Sequence, residues 1–230
     1  MSRTRNPGRV AGLLYLMIVL IGPLRLLYIP NKLFVEGDAA ATVSNIAAHE
    51  WLFRCGIVSN LVGAVLWIYL ILAIYRLFEG VDRNLAVQVA ILGGVIPSTL
   101  FFVTSVFDLG ALTVARGADF LSVFTKPQQD ALAVLLLHLL DHQNTAASVL
   151  WGVWLIPLAL LVYRSRFLPR FLGVWLFIDG LAYVNLSMIG ILFPKYHGMV
   201  FRYSQPAFFG EIALLLWLLI KGAKPPALET

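Results

Sequence analysis

The 230-residue sequence has one cysteine, Cys55, and only 13% charged residues. A single thiol excludes an intrachain disulfide and every cysteine-based metal motif. No glycine-rich loop is spaced to cradle a phosphate, and no dinucleotide fingerprint or nucleophile elbow is present. Charge is about half of what a soluble domain carries. Lys and Arg outnumber Asp and Glu by 17 to 12. The basic residues stand at the ends of apolar runs, not in a patch that could follow a phosphate backbone, and this argues against nucleic acid as a partner.

What fills the sequence is apolar. Hydrophobic residues make up 60% of the chain and the mean hydropathy is +0.86. The surplus apolar surface needs a lipid bilayer as its partner. An apolar run of about 20 residues spans a bilayer as a helix. Six such runs are predicted, at about 9–28, 55–75, 84–107, 144–163, 171–193 and 204–221. The N-terminal "MSRTRNPGRV" followed by "AGLLYLMIVLIGPLRLLY" has the charge pattern of a signal peptide. Its long apolar run and lack of a small-residue cleavage site mark it instead as the first span. The expected fold is all-α: a polytopic membrane protein with residues 1–230 as a single bundle of six transmembrane helices.

The short connections "YRLFEGVDRN" and "YRSRFLPR" carry Arg76, Arg83, Arg164, Arg166 and Arg170. The termini add Arg3, Arg5, Arg9, Lys221 and Lys224, so one side holds ten of the 17 Lys and Arg. The positive-inside rule then places both termini in the cytoplasm, with the chain in a cytoplasmic membrane. The opposite loops are longer. In "GDAAATVSNIAAHEWLFR", Asp38 is an N-cap candidate. In "TKPQQDALAVLLLHLLDHQ", Thr125 is another, with Pro127 in the first turn. Both segments run without a breaker into the next span. They predict helical extensions that either project from the membrane or lie flat on it.

The segments "RVAGLLYLMIVLIGPL", "GDAAATVSNIAAHEWLFRCGIVSNL", "DRNLA", "GADFL" and "FFGEIALLLWLLIKG" resemble the DUF4386 family of bacterial integral membrane proteins. The resemblance covers nearly the whole chain. It implies a membrane fold and includes the Gly210–Glu211 pair, but it implies no reaction, substrate or cofactor. Family members often carry a histidine in the fourth span, where this chain has "WGVW".

Polar residues can be placed by depth, at 1.5 Å of rise per residue. Glu211 lies ten residues from Lys221 and Asp179 nine from Arg170, so both sit about 14–15 Å deep. That is mid-membrane, on consecutive antiparallel spans. A buried carboxylate either finds a partner or stays neutral, and intramembrane acids point to function by default. A second layer, Arg25, Asn60, Ser98, Ser148 and Asn185 with Tyr183 nearby, falls at roughly 22–24 Å. It is expected to face inward and to line a polar cavity. Within it, Arg25 either holds an anionic head group or carboxylate, or snorkels to the interface.

The outermost layer holds "HLLDH". His138 and His142, at i and i+4, share a helix face in a metal-ligand spacing, and His49 or Asp108 is available as a third ligand. Zinc at that face would suit a membrane hydrolase or lipid-modifying enzyme. A haem between two histidines stays open as well, although no histidine sits at mid-membrane depth to favour it. Tyr15, Trp67, Tyr69, Trp175 and Trp217 read as packing residues inside spans. The leading expectation is an internal polar cavity that binds or moves a small or lipid-like molecule. The alternatives are the outer-face metalloenzyme and a structural subunit of a homo-oligomer or larger complex.

Overall fold

The computed structural model describes residues 6–224. Arg3 and Arg5 of the basic N-terminal flank therefore lie outside the described residues. The chain is all-helical, with no strand among the described residues. The helices are α1 (Pro7–Pro23), α2 (Ile29–Leu33), α3 (Ala39–Ala48), α4 (Glu50–Phe78), α5 (Arg83–Val89), α6 (Ile96–Ala115), α7 (Lys126–Arg164), α8 (Arg170–Leu192) and α9 (His197–Ile220). Six continuous helical stretches are long and apolar enough to cross a membrane: Pro7–Leu33, Glu50–Phe78, Arg83–Ala115, Lys126–Arg164, Arg170–Leu192 and Pro194–Ile220.

Local chemistry explains the ends. The Asp38 side chain accepts from the Ala41 amide at 2.8 Å and starts α3. The Asp82 side chain accepts from Leu85 at 3.1 Å and starts α5. At the start of α7, the Thr125 amide donates to the Gln128 side chain at 2.9 Å, the reaching-back half of a capping box. α7 then runs unbroken for 39 residues, about 58 Å at 1.5 Å per residue. The other extension differs from expectation. It breaks at His49 (φ −117°, ψ 37°), where the His49 amide closes α3 on Asn45 and its carbonyl accepts from Phe53 at the start of α4. One non-helical residue turns the chain there, with no Gly or Pro to announce it.

Two π-helical turns interrupt the spans, Leu24–Tyr28 and Ala90–Val95. Each is followed closely by a proline, Pro30 or Pro97. Proline lacks an N–H and crowds the carbonyl four residues back, so the wider turn relieves the conflict. For Pro97 the orphaned carbonyl is that of Gly93, and it accepts from the Trp67 indole N–H instead.

The described residues group into two compact units. Residues 6–18, 65–98 and 145–224 form unit 1, and Val19–Ala64 with Thr99–Asn144 form unit 2. Unit 1 has a core that includes Leu70, Ile74, Trp154, Leu158, Leu172, Leu176, Leu214 and Leu218. Unit 2 has its own, with Ile29, Leu33, Ile46, Phe53, Leu112, Leu137 and Leu140. In lipid such contacts gain little from the hydrophobic effect and depend on close packing. Glycine provides it in unit 1. A Cβ on Gly152 of α7 would collide with the Gly180 carbonyl of α8, and one on Gly12 of α1 would stand 2.7 Å from the Leu219 amide of α9. Outward positions such as Leu20, Leu26, Val95 and Ile220 are exposed and apolar, as lipid contact requires.

Candidate functional site

The polar side chains inside the spans collect into two clusters, one in each unit. In unit 1 the helix periodicities aim the site. The buried stripe of α8 runs Leu172, Leu176, Asp179 and Leu186, so Asp179 occupies a core position of an otherwise apolar face. On α9, Gly210, Leu214, Leu215 and Leu218 are buried, and Glu211 lies on the edge of that stripe. On α1 the buried positions are Gly8, Ala11, Gly12 and Tyr15. Gly12 lets α1 approach α9 backbone to backbone at Leu219, and Gly8 does the same at Ala223, just beyond the end of α9. This approach brings the Tyr15 hydroxyl onto Glu211, where it donates a short hydrogen bond to Oε2.

Asp179 is in a different condition. Its exposure is 0%, and neither carboxylate oxygen has a side-chain hydrogen-bond partner among the described residues; the Glu211 backbone N–H acts on the group without reaching full hydrogen-bond geometry. Its neighbour across the α8–α9 crossing is Gly210, whose Cβ, if present, would stand 3.2 Å from Oδ2. Glu211, Tyr15 and Tyr183 are within electrostatic reach of it. The surroundings are aromatic. The Trp175 indole donates to the Pro206 carbonyl at 3.0 Å, which fixes its ring beside Gly210. Tyr183 stacks on Phe208 at 4.5 Å and meets Trp151 edge-on at 6.1 Å. Tyr15 meets Trp67 edge-on at 6.3 Å.

No base balances this cluster. Three acids are buried among the described residues, Asp108, Asp130 and Asp179. Asp108 pairs with Arg25 and Asp130 with Lys126. Asp179 has no such partner. An uncompensated carboxylate in an apolar interior costs several kcal/mol unless a proton or an external cation meets it.

In unit 2, the Arg25 guanidinium grips Asp108 through Nε to Oδ2 at 2.7 Å and Nη2 to Oδ1 at 2.6 Å. Both are buried, with side-chain exposures of 9% and 0%. The planar fork matches the carboxylate and satisfies both oxygens. Arg25 projects from the first π-helical turn, and Gly56 of α4 leaves room for its aliphatic stem. Asn60 of α4 donates to the Phe101 carbonyl at 2.7 Å and to Ser105 Oγ at 3.0 Å, one turn before Asp108. Gln143 of α7 donates to Thr104 Oγ1 at 2.8 Å.

The expected residues are thus distributed unequally. Glu211 and Asp179 stand together in unit 1, and Arg25 and Asn60 belong to the unit 2 network. Ser98 turns back on its own helix, to the Gly94 carbonyl at 2.7 Å. Asn185 is exposed, because it lies off the 172–176–179–186 stripe of α8. The residues of the outer-face zinc reading are not brought together. Among the described residues, no three His, Cys, Asp or Glu side chains come together as a metal site. His138 and His142 lie one turn apart and exposed, His49 sits against its own Asn45 carbonyl, and both Asp108 oxygens are taken by Arg25. Tyr15 packs in the core as expected and in addition carries a polar contact to Glu211.

Six apolar helical spans and a buried acidic cluster without a base define an all-α, polytopic membrane protein. Residues 10–222 match the model of the domain of unknown function DUF4386, and the chain belongs to that family. The chain is also similar to an uncharacterized protein of Archaeoglobus fulgidus, 32% identical over 76 residues. That match covers 33% of this chain and 44% of the relative, so the chain spans under half the length of the relative it matches. No solved structure matches the chain.

Proposed function

We propose that the protein binds a small or lipid-like molecule at the acidic cluster of unit 1 and carries it within the membrane, with Asp179 and Glu211 as polar anchors. One observation carries this reading: Asp179 is fully buried with no base and no side-chain donor among the described residues, whereas the other two buried acids are paired with bases. A structural acid is kept because it is bonded, and an unbonded one is a cost that a ligand repays. Tyr15 holds Glu211 in place, and the aromatic rings supply apolar contact for the rest of the molecule. The proposal sets the chain in a cytoplasmic membrane with both termini inside. The basic turn residues Arg76, Arg83, Arg164, Arg166 and Arg170 support that orientation.

The test is native mass spectrometry with elemental analysis on purified wild type and Glu211→Gln. A small molecule that co-purifies with wild type and is lost from Glu211→Gln supports the reading. Wild type and variant that are equally empty, or that hold stoichiometric metal independently of Glu211, contradict it.

A further inference from the structure

Resting on that reading, we infer that the ligand of the unit 1 site is an organic ammonium ion that bears N–H donors and an aromatic or apolar body. The first ground is charge. The cluster presents two carboxyl groups, and among the described residues no Lys, Arg or His pairs with either. Every ion-paired acid among the described residues finds its base within the chain, so the site has kept its counter-charge open for a molecule from outside.

The second ground is hydrogen-bond sense. Asp179 offers two acceptor oxygens that no side chain among the described residues uses, and the Glu211 backbone N–H is the protein donor that acts on them. Glu211 has one oxygen held by Tyr15. A site rich in free acceptors recognises a molecule that donates, and a protonated primary or secondary amine offers two or three N–H groups. A quaternary ammonium offers none and leaves Asp179 unbonded. An anion or a phosphate-bearing head group meets only repulsion here.

The third ground is the wall. Trp175 borders Gly210 with Asp179, Tyr15 bonds Glu211, and Tyr183, stacked on Phe208, is in electrostatic reach of both acids; ring faces attract cations and accept apolar substituents. A hard divalent ion takes six or more oxygens and retains water, which aromatic rings do not replace. Of the two acids, Glu211 is half-buried and Asp179 is at 0% exposure.

The experiment is calorimetric titration of the full chain in lipid nanodiscs at neutral pH with benzylammonium, and separately with benzyl alcohol as its neutral counterpart. Wild type is expected to bind the ammonium at least about tenfold more tightly than the alcohol, since hydrogen bonds to charged groups outweigh neutral ones. Asp179→Asn and Glu211→Gln are each expected to weaken ammonium binding about ten- to hundredfold. His138→Ala, at an exposed position on α7, is expected to leave it unchanged. Thermal unfolding of each variant verifies that it is folded. Equal binding of ammonium and alcohol overturns the inference and leaves the ligand-site reading standing. Ammonium binding that survives in folded Asp179→Asn overturns the assignment to this site. No binding of either probe, in a protein that also co-purifies with nothing, overturns both readings.

Discussion

Asp179 on α8 faces Gly210 on α9 so closely that a single Cβ on the glycine would stand 3.2 Å from Asp179 Oδ2. The fully buried carboxylate thus has backbone beside it, with the Glu211 N–H acting on it, and no side-chain donor among the described residues. Gly210→Ala is predicted to push the carboxylate by a few tenths of an ångström. The cost to stability is expected to stay near 1 kcal/mol, as for a small overpacking. Ligand retention, read by native mass spectrometry, is predicted to fall by more than that stability change explains.

Tyr15 is predicted to matter through its hydroxyl. Tyr15→Phe keeps the edge contact with Trp67 and removes the donor to Glu211. A half-buried carboxyl group then loses a hydrogen bond, at about 1–3 kcal/mol. Unfolding in bicelles measures that loss. An unchanged stability together with unchanged ligand retention would show that the Tyr15–Glu211 contact is incidental.

The Arg25–Asp108 pair is predicted to be structural. Removing one partner leaves the other charged and buried, a loss of about 3–5 kcal/mol. Arg25→Met combined with Asp108→Leu removes both charges and is expected to recover most of that loss, because the desolvation cost disappears with the pair. Thermal unfolding of the two single variants and the double variant gives the coupling. Additive single effects would contradict this account.

Helix crossing in unit 1 is predicted to depend on Gly152. A Cβ there meets the Gly180 carbonyl oxygen, a backbone atom that cannot rotate away, so Gly152→Ala is expected to cost about 1–3 kcal/mol. Gly63→Ala on α4 is the contrasting case. A Cβ there meets nothing within 4 Å, and the change is expected to be neutral or stabilising by up to about 1 kcal/mol. Comparing the two unfolding midpoints checks both statements.

Much of this was legible in the sequence, for identifiable reasons. The six spans follow from apolar length, and the Asp38 cap from residue type. Asp179 and Glu211 share a site because nine and ten residues from a basic end give equal depth. Side-chain direction was less legible. Asn185 has the right depth but lies off the stripe of Leu172, Leu176 and Asp179, a signal that periodicity carried and depth counting ignored. The Arg25–Asp108 pair joins residues 83 apart, and Asp108 alone looked like a ligand for the nearby histidines. The break at His49 has no glycine or proline to mark it. Tyr15 reads as packing until α1 is set against α9, which depends on Gly8 and Gly12 being small.

The central claim is that Asp179 serves a ligand whereas Asp108 serves the fold. The most direct measurement is the thermal unfolding of Asp179→Ala beside Asp108→Ala, each compared with wild type in the same lipid without added ligand. Asp108→Ala strands Arg25 and is predicted to lose about 3–5 kcal/mol. Asp179→Ala deletes two unbonded buried oxygens and is predicted to unfold at or above the wild-type temperature. An Asp179→Ala loss as large as that of Asp108→Ala would contradict the account, because it would mean that Asp179 holds the helices together.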